Sequence, residues 1–346
     1  MRTGIFHQDY ASEERLWDSP AQRSWMVGLV LAVAALPLFA GDYVLAIACI
    51  VGIHVVATIG LNVTTGMAGL ISLSHAAFLG VGCYTTAWLS RWGVPFLLAL
   101  PIAGLVTMGV GMLVGLPSLR VKGLYLAVAT LAAHFVLTFV FREWTAVTGG
   151  MGGTRVLRPT ILGFELSGDR RIFYLIYGCV GLAALAAANL GRTYVGRAFV
   201  AVRDRDISAE ILGVNLLRTK LLAFGLGAFA AGVAGGLLGY FYGSITPEYF
   251  TLTLSIFYLA AIIVGGLGRV LGSVLGAVFM TFVPEVLRLL AQASSQWVPN
   301  ATSLLLPMGQ IVFGALIVGF LIFEPHGLAE IWSRLRRTFH LWPFKT

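Results

Sequence analysis

Charge is scarce in this chain. Of its 346 residues, 11% are Asp, Glu, Lys or Arg, and 58% are hydrophobic. A soluble domain carries about 25% charged residues, so no soluble catalytic domain fits between the apolar runs. Cysteine is nearly absent as well. Cys49, Cys83 and Cys179 form no CxxC pair and all fall in apolar stretches, which makes them small packing residues rather than metal ligands or an external disulfide. No phosphate loop (GxxxxGK followed by Ser or Thr) occurs, so ATP hydrolysis by that mechanism is excluded. A GxSxG elbow and an HExxH helix are also missing. Residues 1–24 are polar, with Asp9, Glu13, Glu14 and Asp18, and do not read as a signal peptide.

What is present is a series of apolar runs of the length that crosses a bilayer. Ten spans are expected, over 25–41, 43–60, 75–90, 95–115, 123–141, 172–190, 220–240, 249–265, 273–290 and 304–323. The fold class is therefore all-α: a polytopic integral membrane protein of about ten transmembrane helices whose first partner is the lipid bilayer. With an even count and both termini cytoplasmic, 16 of the 23 Lys and Arg fall on the cytoplasmic side, as the positive-inside rule requires. The net charge of +8 is thus a topology signal and not a nucleic-acid footprint. The expected organisation is a cytoplasmic segment over 1–24, a membrane domain over 25–323 and a basic cytoplasmic tail over 324–346.

Residues 60–80, GLNVTTGMAGLISLSHAAFLG, interrupt the apolar pattern with glycines and hydroxyls. Unpaired backbone groups cost several kcal/mol in lipid, so a broken helix implies protein around it or a polar path beside it. Interrupted helices of this kind line solute pathways in transporters, and a plain cytoplasmic hairpin is the bland alternative. Asn62, Thr65, Ser72, Ser74 and His75 are the candidates to line such a path or brace it. Gly66 and Gly69 would permit the break and close helix approach. A second Gly-rich, hydroxyl-bearing link, GSITPEYFTLTLS at 243–255, falls near the opposite face, as inverted repeats of about five spans would place it.

Two loops stand out. The external connection 142–171 holds five basic residues and turn-forming glycines, with room for a short hairpin. The cytoplasmic segment 191–219 has helical character. Ala198, Val202, Ala209, Leu212 and Val214 supply apolar surface among Arg203, Asp204, Arg205, Asp206 and Glu210, and Gly213 with Asn215 suits a helix end. Its balanced charge fits protein docking better than anionic lipid, which favours a polybasic face. A structural linker is the remaining alternative. His54, His75 and His134 lie in or beside spans, far apart in sequence and without a carboxylate at metal-ligand spacing, so a neutral ring bonded to a backbone carbonyl is expected; His75, which closes the broken segment, is the exception to test. Glu285 and Arg288, spaced i, i+3, are expected to pair.

Five blocks, in order, carry a family resemblance: GLNVTTGMAGLISLSHAAFLGVGCYTTAWL (60–89), GLPSLRVKGLYLAVATLA (115–132), GRAFVAVRDRDISAEILGVNLLRTKLLAF (196–224), SITPEYFTLTLSIFYLAAIIVGGLGRVLGSVLGA (244–277) and FEPHGLAEI (323–331). The chain resembles the permease subunits of branched-chain amino acid ABC importers, in particular the LivM-like branch. The resemblance implies a type II-like importer architecture in a bacterial inner membrane. It implies a second, LivH-like permease, two cytoplasmic ATPase subunits that use ATP and Mg, and a periplasmic binding protein. It also implies that Arg203, Asp204, Ala209, Glu210 and Gly213 couple to an ATPase, with no cofactor held by this chain. Departures from the family pattern occur at TGGMGG (148–153), at Arg269 and Ser273, and at His326. The family includes transporters of urea and short amides. Outside it, a stand-alone channel, a secondary carrier and an integral membrane enzyme are the other classes. An ion-driven carrier wants a buried carboxylate, which spans two to eight almost entirely lack.

Overall fold

A computed structural model describes residues 20–157, 160–161, 164–165, 169–294, 305–324 and 327–341. Residues 1–19, His326 and the last five residues of the tail, singled out above, lie outside the described residues, as does Arg158, one of the five basic residues of the 142–171 loop. The helices are α1 (Pro20–Phe39), α2 (Asp42–Leu61), α3 (His75–Arg91), α4 (Phe96–Gly115), α5 (Leu124–Glu143), the single turn α6 (Thr145–Thr148), α7 (Asp169–Leu190), α8 (Tyr194–Ile211), α9 (Leu216–Tyr242), α10 (Leu252–Gly265), α11 (Val270–Ser294), α12 (Leu305–Phe323) and α13 (Leu328–Leu341). Four two-residue strands complete it: β1 (Thr154–Arg155), β2 (Thr160–Ile161), β3 (Phe164–Glu165) and β4 (Ser244–Ile245).

Among the described residues seven helical segments are long and apolar enough to cross a membrane, which makes the chain an all-α, multi-spanning membrane protein. They match seven of the ten expected spans. Of the other three, the first is a shorter apolar helix over Ser24–Phe39, the third is the 17-residue α3, and the tenth is α12, partly described.

The segments Asp42–Met67 and Leu216–Tyr242 are the most buried of the seven, at 67% each, against 17% for Arg170–Leu190. They form the centre, and α7 lies at the edge. Small residues put them there. Lipid tails are as apolar as leucine, so helices in a membrane associate through close packing rather than water exclusion. On α9, Gly227, Ala228, Ala231, Gly232, Gly235, Gly236 and Gly239 are buried among α2, α3 and α4. A Cβ on Gly60 would stand 2.7 Å from the Gly227 carbonyl oxygen, and one on Gly82 would collide with the backbone of Gly232.

The two ends of the bundle differ. At one end the strand β1 pairs antiparallel with β4, Thr154 opposite Ile245 and Arg155 opposite Ser244. Arg91 bonds Thr154 there, and Tyr43 bonds both Glu285 and Arg288, which pair with each other at 2.7 Å as their spacing suggests. Strands β2 and β3 form the short hairpin expected in the 142–171 loop. The other end gathers the break after α2, the α4–α5 turn, α8, the α10–α11 turn and the start of α13. It carries Lys122, Arg203, Arg205, Arg218, Lys220 and Arg269 and is called the basic end below.

Candidate functional site

The break at the basic end is real, and several of its backbone groups are bonded. Helix α2 widens into one π-helical turn over Asn62–Met67, a distortion that is common at functional sites. Gly69 then takes φ +70°, a conformation that suits glycine, and the chain runs irregularly to α3. Thr65 Oγ1 donates to the Leu70 carbonyl at 3.1 Å, and Leu70 N–H donates to the Thr64 carbonyl at 3.0 Å. Leu73 N–H reaches Thr130 Oγ1 on α5 at 3.0 Å. Ser72 and Ser74 share a hydroxyl bond at 3.1 Å. The first turn of α3 is held by its neighbours: Ala76 N–H donates to Ser255 Oγ on α10 at 3.0 Å, and His75 Nε2 donates to the Ala57 carbonyl on α2 at 2.8 Å. These side chains from separate elements replace the bonds that a continuous helix would have made.

Asn62, Thr65, Gly66, Ser72, Ser74 and His75 are all buried within this chain. They brace the break, and Gly69 alone of the seven is exposed. Asn62 clamps the α10–α11 turn, its Oδ1 accepting from Gly268 N–H at 2.8 Å and its Nδ2 donating to the Arg269 carbonyl at 3.1 Å. Gly66 has no room for a side chain: a Cβ there would overlap the Asn62 amide and stand 2.5 Å from Gly268 N.

Helix α8 meets the break at Arg203. Its Nη1 donates to the Gly66 carbonyl at 3.0 Å, its Nε reaches Asp204 at 3.1 Å, and a Cβ on Gly69 would lie 2.7 Å from its Cγ. The helix starts at a Thr193 cap that accepts from Gly196 N–H at 3.2 Å, and Ala198, Phe199 and Val202 pack it onto the bundle. Arg205 is non-helical at φ −156°, ψ 101°, so α8 kinks there. Beyond the kink Asp206 pairs with Lys122 and lies 3.9 Å from the buried Lys220, which donates to the Ser118 carbonyl at 3.2 Å. The Lys122 bond, with both lysine charges, lowers the Asp206 pKa below its ordinary value. Ala209 is buried and Glu210 is exposed. Gly213 closes the helix at φ +89°, while Asn215 belongs to the next element, as the cap of α9. A cavity of about 200 Å³ opens between these parts, lined by Ala68, Gly69 and Leu70 of the break and by Lys122, Arg203 and Asp206.

Three features escaped the sequence reading. Ile207 and Ile211 are 67% and 81% exposed and join Leu212, expected as apolar surface and 82% exposed, in an apolar tip; the i, i+4 spacing of the two isoleucines was the available signal. Lys220 is a lone cation in an apolar helix and proves to be buried. The histidines also need correction. Of these three, only His75 is described bonding a backbone carbonyl; His54 Nδ1 meets the Tyr258 hydroxyl at 2.8 Å, and His134 Nδ1 is buried without a partner. Among the described residues no group of three His, Cys, Asp or Glu could hold a metal.

Residues 43–321 match the family model described as branched-chain amino acid transport system / permease component. The chain is 32% identical to the high-affinity branched-chain amino acid transport system permease protein LivM of Escherichia coli (strain K12), over 89% of this chain and 75% of that one. It is 27% identical to the probable branched-chain amino acid transport permease protein LivH of Methanocaldococcus jannaschii, over 82% and 90%. To the autoinducer 2 import system permease protein LsrC of Salmonella paratyphi B it is 27% identical, over 69% and 67%. No solved structure matches. The extent of the family match and the LivM likeness place the chain in the permease-component family of branched-chain amino acid transport systems.

Proposed function

We propose that this chain moves branched-chain or chemically related amino acids across a bacterial inner membrane by alternating access, as one translocation half of an ABC importer. Membership of the permease family makes it a transport subunit and not an enzyme. The remainder is our reading: ten spans over 25–323 in a type II-like arrangement, the basic end and both termini cytoplasmic, and the tail over 324–346. A second, LivH-like permease, two ATPases that use ATP and Mg, and a periplasmic binding protein would complete the assembly. The excess of basic residues at one end supports the orientation. Asp206→Cys should then label only from the cytoplasm and Arg155→Cys only from outside.

One observation carries the mechanism: Arg203, on the only helix between α7 and α9, bonds directly to the carbonyl of Gly66 inside the break. The half of α8 beyond Arg205 presents the exposed Ile207, Ile211, Leu212 and Glu210, chemistry that fits an ATPase groove with an apolar floor and a basic rim. ATP-driven movement of that tip would act on Arg203 and shift the break. Asn62 would carry the shift to the α10–α11 turn. Asn62, Thr65, Gly66, Gly69, Ser72, Ser74 and His75 then serve as the hinge of the pathway.

Reconstitution of this chain with its genomic-neighbour permease, ATPases and binding protein tests the reading. Labelled leucine should enter only with internal ATP. Uptake of urea or a short amide, with leucine excluded, would replace the solute and keep the mechanism. Uptake without ATP or partners would favour a stand-alone channel or carrier.

A further inference from the structure

We propose that α13 is an interfacial anchor that lies in the membrane surface at the basic end and recognises anionic phospholipid headgroups. Its position forces it to the interface. Helix α12 ends in an exposed apolar turn, with Ile322 and Phe323 69% and 82% exposed, and α13 begins at Leu328. The few residues between cannot carry it far into water, since an extended chain gains at most about 3.5 Å per residue. Glu324, at the end of α12, bonds Arg334 at 2.9 Å, so α13 stays beside the bundle. The helix base is fixed. Leu328 packs with Val264, Met280 and Phe320, Ala329 is buried, and Glu330 pairs with Arg269 at 2.7 Å.

From that base, Trp332 and Leu335 turn outward on one stripe, 56% and 48% exposed. The helix sequence, LAEIWSRLRRTFHL, adds Arg334, Arg336, Arg337 and His340 against a single acid, Glu330. A described apolar stripe with Trp, in a helix whose sequence is rich in arginine, is the composition of a helix that lies in the headgroup layer, and Trp is favoured at that depth. Clustered Arg next to a membrane segment favours anionic over neutral headgroups. This differs from the tip of α8, where acids offset the arginines.

The anchor is joined to the transport hub. Gly327, at φ +71°, fits so closely that a Cβ would stand 2.5 Å from Gly266 N. Arg269, paired with Glu330, contributes the carbonyl that Asn62 bonds. Lipid held by α13 therefore acts on the same turn that braces the break. This link to transport rests on the proposed function; the anchor itself does not.

The test uses the purified full-length chain in nanodiscs, with a nitroxide at Leu335→Cys and Cys179 replaced by Ala. Oxygen and a water-soluble nickel chelate report the depth of the label, with no transport required. In phosphatidylcholine containing phosphatidylglycerol the label should be oxygen-accessible and shielded from nickel. The double variant Arg336→Gln, Arg337→Gln should need a severalfold higher phosphatidylglycerol fraction for the same shielding, while leaving Glu330 and the helix base intact. A label equally exposed to nickel with and without phosphatidylglycerol would overturn the proposal. So would shielding that appears only when an ATPase subunit is added, which would make α13 a protein-docking helix. Equal shielding in pure phosphatidylcholine and in the double variant would overturn the anionic preference.

Discussion

The two ends of the bundle hold irregular backbone in different ways. Opposite the basic end, the 148–157 loop and the 243–249 link are tied by main-chain pairing, β1 to β4, over glycines with φ of +73° and +70° at Gly153 and Gly243. At the basic end no strand among the described residues pairs the break. Single side chains hold it: Asn62, Arg203, Thr130 and Ser255, each from a different helix or turn. A ladder yields only when several bonds break together. A set of side-chain clamps lets one element move relative to another at the cost of one bond at a time, about 1 kcal/mol each. The ladder suits a fixed rim and the clamps suit a hinge.

The largest effect is expected where the clamps leave no space. Gly66→Leu must displace Asn62 and the α10–α11 turn and should abolish uptake, measured in reconstituted vesicles at matched protein content. Loss confined to protein abundance would reduce Gly66 to a folding role. Next is the tip of α8. Gly213 has open space around a Cβ but a φ of +89°, so Gly213→Val imposes about 1–3 kcal/mol of backbone strain without a clash. Uptake should fall at least tenfold with normal membrane insertion, and Glu210→Lys should act likewise by charge reversal. Normal uptake in both would remove the tip from coupling.

The opposite end should respond through stability instead. Gly153→Ala forces a Cβ to within 2.9 Å of Thr246 Cγ2 at positive φ; it should lower Tm by about 3 °C or more and leave solute moved per ATP unchanged. A changed ratio would erase the distinction between the ends. The smallest effect belongs to Asp206→Asn. Its carboxyl pKa is depressed by Lys122, so the pair contributes stability above the unfolded value near 4 and loses it as pH falls through the lower folded value. The loss in Tm should be small, because Lys122 is 62% exposed and the pair is screened. It should persist from pH 7 to pH 5 and shrink only at strongly acid pH. A difference that vanished between pH 7 and 6 would assign it to another group.

The spans were legible because bilayer thickness fixes the length of an apolar run; 43–60 and 220–240 became the two central helices. The break was legible from the glycines and hydroxyls that interrupt the apolar pattern over 60–80. What held it was not. Ser255 lies 179 residues from its partner Ala76, and Arg203 lies 137 from Gly66. No local pattern encodes such pairs. The β1–β4 pairing escaped because two-residue strands carry no periodicity. Asn215 was grouped with the end of α8, because the same residue types stop one helix and cap the next.

The central claim is that Arg203 carries movement from α8 into the break. Arg203→Gln removes the charged donor to the Gly66 carbonyl while keeping a side chain over Gly69. In vesicles holding the complete importer, solute uptake and ATP hydrolysis should be measured together. ATP hydrolysis is predicted to stay within about twofold of the parent while uptake falls at least tenfold, with partial recovery in Arg203→Lys. Uptake and hydrolysis that remain in the parent ratio would contradict the account.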